Sequence, residues 1–582
     1  MGWHRGRVSS HSMGSCLSQT HLLKRNSKVG DEGSVRVTTK AGILEGRKTV
    51  VNGFESHCFL GIPYAKPPVG NLRFRKPEPP EPWTGVRQCA RFGPRSVQRD
   101  QFWDKFTITV PQSEDCLYLN VFAPAIKPGK KYPVFFYIHG GGWMMDSAVR
   151  YTPKNVTRLL VSKGMIVVTI QYRLGYLGFL CTGDDAAKGN FGLWDQLEAL
   201  KWTKEYIGAF GGDTEQITIG GQSAGAVSTD LLSMSPYTRG MYKQKIVLGG
   251  NSFCHWATTK TEDIRDYCMA KAYKLGWKER EEGYSSTLEK HQDMVDFLRS
   301  IPASKFGTHM IGCKVFYNEA RLPLAPVIDG DLLPYPIKRL REEAPEVPSI
   351  VGVGQHEALL FMAIGTMKCN GKAIDQARKA LTRRSNYSEK EVKAALDILY
   401  DLENSKHSST DSKRIYVELL SDIFSNYACW RYMHHSQKQK QPCYAYTFDY
   451  TSRRMWGWLV VMIPFMAGTH SSEIIYLFDC NYFNAPRSMD KTDRLVSENT
   501  ARWFSDFILT GNPNNTGVLP KWEPIPKEGD MKMFSISEKP YTKETIFGNR
   551  MKKLNEMLKA IEFFSPRSVK DATSILNQEL IL

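Results

Sequence analysis

The sequence contains no long apolar run. A membrane-spanning helix needs about 20 consecutive, mostly apolar residues, and no window of the 582 residues offers them. The longest candidate, WLVVMIPFM at residues 458–466, is too short and contains Pro464. Residues 1–28 also lack the apolar core of a secretory signal peptide. We therefore expect no transmembrane helix and no signal peptide.

The twelve cysteines are scattered, without the short spacings of metal sites. Because no CxxC pair or His/Cys cluster occurs, we expect no metal ion. Without a signal peptide, such cysteines indicate reduced thiols and a cytoplasmic location. The net charge is +17, but the basic residues form no stripe and accompany no nucleic-acid-binding signature. We expect a diffusely basic surface and no nucleic-acid partner.

Strand-like and helix-like segments alternate over most of the chain. Runs such as KYPVFFYIH, GMIVVTIQY, EQITIG, KQKIVLGG and PSIVGVG are short and rich in β-branched or aromatic residues, whereas NFGLWDQLEALKWTKEYIGAF has a helical period. This alternation predicts an α/β fold with a mostly parallel central sheet and helices on both faces. Helical material over residues 374–436 predicts a cap beside that sheet.

The composition divides the chain into three segments. Residues 1–33 are polar and basic and predict a flexible tail. Residues 34–562 predict one domain, and residues 563–582 a C-terminal tail. Within the domain, the proline-rich stretch at residues 59–85, FLGIPYAKPPVGNLRFRKPEPPEPWTG, is predicted to be loop, because proline lacks the donor that a strand ladder requires.

A G-x-S-x-G pattern, GQSAG at residues 221–225, joins the strand-like ITIG to the helix-prone AVSTDLLSM. In a tight strand-to-helix turn of this kind the serine is strained and its Oγ is exposed. Gly221 and Gly225 avoid the clashes that a Cβ would create there. We predict that Ser223 is a nucleophile close to a helix N-terminus, whose dipole favours developing negative charge. The alternative is an ordinary glycine-rich turn.

A second glycine-rich segment, HGGGW at residues 139–143, follows the strand-like YPVFFYI. Glycines let the backbone approach a substrate carbonyl and direct amide N–H groups towards it. We predict that the N–H groups of Gly141, Gly142 and Ala224 form an oxyanion hole. The alternative is a flexible turn.

With these motifs, the chain closely resembles the type-B carboxylesterase and cholinesterase family of α/β-hydrolases. The resemblance extends from Ser34 to about Trp522. Its blocks are FLGIPYAKPPVGNLRF, SEDCLYLNVFAP, IHGGGW, QYRLGYLGFL, GNFGLWDQLEALKW, FGGD, GQSAGA, PVIDGDLLP and TGNPNN. It implies an α/β-hydrolase fold and hydrolysis of small-molecule or lipid esters without a cofactor.

Chain order and the resemblance indicate the other catalytic residues. In α/β-hydrolases the acid follows the nucleophile and precedes the histidine. Glu357 comes directly after the strand-like PSIVGVG, although Ala358 stands where the family usually has glycine. His470 in AGTHSSEIIYLF resembles the family's histidine block, with Glu473 at its characteristic acidic position. We predict that His470 is the general base and that Glu357 orients it.

Four other histidines are alternatives to His470. His356 adjoins Glu357 but precedes the acid. His407, His434 and His435 lie in polar, helical cap material and are expected to be solvated.

The chain departs from the family at several positions. Gln222 stands where the family often has Glu, and Gly250 where many members have a serine linked to that Glu. Both changes alter the expected electrostatics of the pocket. Cys116 matches a disulfide cysteine of secreted members, but Ser96 lies in the region of its partner. The absence of a cysteine in the partner region of Cys116 favours a reducing compartment.

A cholinesterase also needs an aromatic cage for a quaternary ammonium group. This chain has Leu360, followed by Phe361, where cholinesterases carry an aromatic residue. Trp103 has no fixed register with the choline-binding tryptophan, and Trp256 is expected to be an acyl-pocket wall or plain core. A general carboxylesterase is therefore favoured over a cholinesterase. A non-catalytic adhesion homologue is the remaining alternative, although the three predicted triad residues are present.

A lipidation motif occurs within the N-terminal tail. Read from Met13, the sequence MGSCLS fits the pattern for N-myristoylation of Gly14. Because one acyl chain binds only marginally, palmitate on Cys16 or the nearby basic residues Lys24, Arg25 and Lys28 would supply the second signal. A product that starts at Met13 is therefore predicted to associate with a membrane surface. The alternative is a chance match.

Overall fold

The computed structural model describes residues 31–101, 104, 108–367, 370, 372–382, 388–400, 409–480, 489–545, 547 and 550–556. Within these residues, thirteen strands form one mixed sheet. The strands are β1 (Asp31–Thr39), β2 (Gly42–Val51), β3 (Phe54–Pro63), β4 (Val86–Gln88), β5 (Tyr118–Pro124), β6 (Tyr132–Ile138), β7 (Ile166–Ile170), β8 (Gly212–Gln222), β9 (Gln244–Leu248), β10 (Ser349–Gly354), β11 (Cys443–Phe448), β12 (Met533–Ile536) and β13 (Tyr541–Lys543).

Parallel pairing dominates the centre of the sheet. The order is β1-β2-β3-β5-β7-β6-β8-β9-β10-β11-β12-β13, with β4 beside β2. Every pairing from β7 to β12 is parallel, and antiparallel strands flank this block on both sides. All residues of β7, β9, β10 and β11 are buried, as expected of strands that are covered on both faces. The predicted α/β fold is confirmed.

Helices cover the two faces of the sheet and build the cap. The helices are α1 (Pro153–Leu159), α2 (Gly175–Phe179), α3 (Phe191–Tyr206), α4 (Ala224–Met234), α5 (Thr261–Leu275), α6 (Thr287–Ser300), α7 (Lys314–Glu319), α8 (Ile337–Glu343), α9 (Ala358–Ala363), α10 (Lys372–Thr382), α11 (Glu389–Tyr400), α12 (Ser409–Ser421), α13 (Tyr427–Ser436), α14 (Arg453–Trp456), α15 (Ser472–Phe478) and α16 (Lys491–Thr510). None of the helices in the described ranges combines the length and apolarity that crossing a membrane requires.

The loop predicted for residues 59–85 is wrong over its first five residues. β3 continues to Pro63, which pairs antiparallel with Tyr118, while Ile62 pairs with Leu119. The register between β3 and β5 shifts between Phe59 and Ile62, and irregularities of this kind are where sheets accept a proline. The first strand also begins at Asp31, slightly earlier than the predicted start at Ser34.

Several predictions fall outside the described residues. The acylation motif at Met13, Gly14 and Cys16 lies outside them, as do residues 1–30 and 557–582 of the two predicted tails. Trp103 and His407 also lie outside the described residues. The domain boundaries at residues 34 and 562 stay predictions.

Cys116 is expected to be a free thiol in the purified protein. It is buried beside Ser96, and burial raises the pKa of the thiol to about 12. A thiol reagent should therefore leave Cys116 unmodified in the folded protein and modify it after unfolding without any reductant. Peptide mass spectrometry of samples unfolded with and without reductant measures this directly, and a native disulfide at Cys116 would contradict it.

Candidate active site

Ser223 lies in a sharp turn between β8 and α4. Its backbone has φ +58° and ψ −125°, a conformation that costs a residue with a Cβ on the order of 1–3 kcal/mol. A Cβ on Gly221 would collide with the carbonyl of Gly225, and a Cβ on Gly225 would collide with the carbonyl of Ile138. The Ser223 N–H donates to the Leu248 carbonyl at 2.8 Å and anchors the turn to β9. The two glycines therefore make room for the strained serine.

His470 and Glu357 form a hydrogen-bonded chain with Ser223. His470 Nε2 lies 2.7 Å from Ser223 Oγ, and Nδ1 is hydrogen-bonded to Glu357 Oε2. A carboxylate can only accept, so Nδ1 carries the proton and Nε2 is the acceptor that faces the serine. Glu357 is fully buried, and its other oxygen accepts from the Gly354 N–H. The three residues predicted as a triad are thus brought together.

The topology explains why residues so distant in sequence meet. Ser223 follows β8, Glu357 follows β10, and His470 follows β11, in the segment between α14 and α15. These strands belong to the parallel block, so their carboxyl ends share one edge of the sheet, where α/β folds place their sites.

Hydrogen bonds join the loop of the acid to the loop of the histidine. The Thr469 hydroxyl donates to the His356 carbonyl at 2.9 Å and accepts from the Leu360 N–H at 2.9 Å. The His356 N–H donates to the Gly468 carbonyl at 3.0 Å. These bonds flank Glu357 on both sides and end at the two residues before His470, so they hold the two catalytic side chains in fixed relative positions.

The predicted oxyanion loop follows β6. Gly141 and Gly142 have φ values of +92° and +62°, and a Cβ on Gly141 would collide with the Met145 carbonyl. Among the described residues, neither glycine N–H donates a hydrogen bond. Ala224 is the first residue of α4, where the backbone N–H has no partner within the helix. The three predicted donors are therefore available to a substrate oxygen.

A cavity opens beside Ser223 and His470. Gly141 and Gly142 line it on the side of the oxyanion loop. Much of its wall is apolar, with contributions from Met310, Ile311, Leu360, Phe361 and Ile364. Such a wall suits the hydrocarbon part of an organic ester.

An aromatic wall behind His470 was not predicted from the sequence. The Phe424 ring lies 5.8 Å from His470 and 4.7 Å from Phe361, centroid to centroid, and stacks on Trp256 at 5.1 Å. Phe424 belongs to a π-helical segment, Asp422–Asn426, which connects α12 to α13. Such segments are often found at functional sites, but the periodicity of the sequence gives no sign of this one.

Trp256 is buried and forms part of this aromatic wall, as expected of a wall or core residue. Gly250 lies beside it: a Cβ on Gly250 would be 3.0 Å from both the Ser223 carbonyl and the Trp256 ring. The small residue at this position lets the indole pack close to the serine turn.

Apart from Glu357, two polar residues of the site, Gln222 and Glu473, carry little charge. Gln222 Nε2, a neutral amide, lies 3.3 Å from His470 Nε2. Glu473 is fully buried, and neither carboxyl oxygen has a hydrogen-bond partner among the described residues. Burial, with a further contribution from Glu357, raises the pKa of Glu473 to about 8. Glu473 is therefore mostly protonated at neutral pH and adds little negative charge beside Glu357.

The alternative histidines lie away from Ser223. His356 packs its ring against Phe465 at 5.1 Å and lines a different, polar cavity, and burial lowers its pKa to about 3. His434 is exposed on α13, as predicted. His435 is half-buried rather than solvated, because its side of the helix packs near Phe253, and burial lowers its pKa to about 4.

Comparison with known proteins agrees with the fold. The model of the carboxylesterase family matches residues 33–554. The chain is 34% identical to esterase cest-33 of Caenorhabditis elegans, over 83% of this chain and 86% of that protein. It is 31% identical to gut esterase 1 of the same nematode (85% and 89%) and 30% identical to the acylcarnitine hydrolase of Rattus norvegicus (84% and 86%). The chain is a carboxylic ester hydrolase and belongs to the carboxylesterase family.

Proposed function

We propose that this chain hydrolyses carboxylic esters through an acyl-enzyme intermediate on Ser223, with His470 as general base and Glu357 as the acid that orients it. The observation that carries the proposal is the hydrogen-bonded chain from Ser223 Oγ through His470 to Glu357, at the edge of an apolar cavity. A nucleophile, a base and an orienting group in contact are the signature of nucleophilic catalysis.

Acylation follows from the positions of these groups. His470 Nε2 removes the proton from Ser223 Oγ as the oxygen attacks the ester carbonyl. The resulting oxyanion accepts hydrogen bonds from the N–H groups of Gly141, Gly142 and Ala224, each of which lowers the barrier by about 3–4 kcal/mol. The protonated His470 then donates its proton to the departing alcohol, and Glu357 stabilises the charged ring throughout.

Deacylation repeats the same steps with water. His470 deprotonates a water molecule, which attacks the acyl carbonyl, and the same N–H groups bind the second oxyanion. Collapse of this intermediate returns the proton to Ser223 Oγ and releases the carboxylic acid. The cycle needs only groups of this chain and water.

The substrate class proposed is a small-molecule or lipid ester with a hydrocarbon part. The apolar residues Met310, Leu360 and Phe361 in the cavity wall support it. The names of several relatives also support this substrate class, because they describe hydrolases of acylcarnitines, of pyrethroids and of medium-chain fatty acyl-CoA. A cholinesterase is disfavoured because Leu360 provides no aromatic face to a quaternary ammonium group.

A panel of p-nitrophenyl esters with graded acyl chains tests the proposal. Wild-type protein should release p-nitrophenol from several of them, with kcat/KM rising along the series until the chain exceeds the cavity. A fluorinated ketone that mimics the tetrahedral intermediate should inhibit this turnover. No turnover with any ester, from folded protein, would favour the adhesion homologue instead.

A further inference from the structure

Two side chains hold the backbone of the π-helical segment Asp422–Asn426. His255 and Trp256 are consecutive residues between β9 and α5. His255 Nδ1 lies 3.1 Å from the Ile423 carbonyl oxygen, and Trp256 Nε1 donates to the Phe424 carbonyl at 2.8 Å. One of these carbonyls precedes the Phe424 Cα and the other follows it. The two hydrogen bonds therefore fix the peptide groups on both sides of Phe424.

His255 also reaches a second element of the fold. Its Nε2 lies 2.8 Å from the carbonyl oxygen of Ala320, the residue that ends α7. Both ring nitrogens thus face carbonyl oxygens, which can only accept hydrogen bonds. Both bonds are donated when both nitrogens carry a proton, as they do in the charged form of the ring. His255 therefore bridges the π-helical segment and the end of α7.

The aromatic rings carried by these two elements pack around the catalytic histidine. The Phe424 ring is buried and meets the His470 ring edge to face, with the ring planes 81° apart and the centroids 5.8 Å apart. Phe361 lies 5.0 Å from His470, and Phe316 of α7 packs against both phenylalanine rings at 5.4 and 6.2 Å. The His255 bridge thus joins the two elements whose rings form the surroundings of His470.

We propose that His255 is a positioning residue for catalysis: by tying the π-helical segment to α7, it keeps the Phe424 ring in contact with His470. The proposal rests on the proposed function, since it takes His470 as the general base. A general base must stay within hydrogen-bond distance of the hydroxyl group that it deprotonates, and small displacements of catalytic groups slow a reaction strongly. Loss of the bridge should therefore slow catalysis, although His255 acts only through Phe424.

His255→Phe tests the proposal on the full-length protein, because it removes both donors and keeps a ring beside Phe424. The concentration of active enzyme is measured by titration with an organophosphate ester. For p-nitrophenyl acetate, kcat per active site should fall about tenfold with little change in KM, since the base is displaced and not the wall that binds the ester. A role in stability alone would lower the number of active sites and leave kcat per active site unchanged.

Two further variants complete this comparison. His255→Gln can donate to one of the two carbonyls, so its loss of kcat should be intermediate, and it serves as the second variant where His255→Phe fails to fold. His434→Phe is the matched control, because His434 is exposed on α13 and its ring stacks on Trp430 at 5.4 Å. It should retain the wild-type kcat.

A double-variant cycle tests whether His255 acts through Phe424. Phe424→Leu removes the ring that contacts His470 and should lower kcat about as much as His255→Phe does. If the two residues act as one unit, adding His255→Phe to Phe424→Leu should cost less than about twofold more. Independent roles would instead give factors that multiply.

Failure of the positioning proposal is distinguishable from failure of the proposed function. A wild-type kcat per active site in both His255 variants would overturn the positioning proposal alone, as would a loss of the same factor with and without the Phe424 ring. Ester hydrolysis by wild-type protein that no organophosphate titrates, or hydrolysis that persists in Ser223→Ala, would contradict the proposed function itself.

Discussion

Ser223→Ala is expected to lower kcat for p-nitrophenyl ester hydrolysis by about six orders of magnitude. The substitution removes the atom that attacks the ester. The fold should persist, because alanine retains the Cβ that the turn already accommodates and the backbone bond to Leu248 remains.

The exposed Ser162 provides the matched control for this experiment. Ser162→Ala should retain wild-type kcat, and both variants should give the wild-type circular dichroism spectrum. If pure Ser223→Ala retained more than a small fraction of the activity, the assignment of the nucleophile would be wrong.

His470→Ala is expected to have an effect of similar size, and Glu357→Gln a smaller one of about 10⁴ in kcat. Without the imidazole, nothing accepts the proton of Ser223 Oγ. In Glu357→Gln, the His470 ring stays in place but loses the carboxylate that fixes its tautomer and stabilises its charged form. Steady-state kinetics on the three proteins measures the order of the effects.

His356→Ala tests the alternative base in the same assay. The His356 ring packs against Phe465 and lines a different cavity, so its loss should cost far less activity than the loss of His470. The histidine assignment would fail if His356→Ala were the damaging change and His470→Ala were nearly neutral.

The sequence is informative where function imposes local geometry. Strained turns need glycine, so GQSAG and HGGG predict Ser223 and the oxyanion loop from the sequence alone. Buried parallel strands need continuous apolar residues, and five such runs became β6 to β10. Chain order then limited the acid and the histidine to a few candidates.

The features that the sequence does not predict depend on contacts between segments that are distant in the chain. Phe424 lies far from Trp256 and His470 in sequence, and only the π-helical segment directs it towards them. The loop prediction is wrong at Pro63 because this proline pairs with Tyr118 of β5, and the local sequence pattern does not show that pairing.

The most direct measurement of the central claim is the site of covalent labelling by an organophosphate ester. Such a reagent phosphorylates an activated serine, and peptide mass spectrometry locates the adduct. We predict one adduct per chain, on Ser223, formed rapidly in the wild type and lost in His470→Ala, where the serine is not activated. An adduct on another residue, or none on a folded protein that hydrolyses esters, would contradict the account.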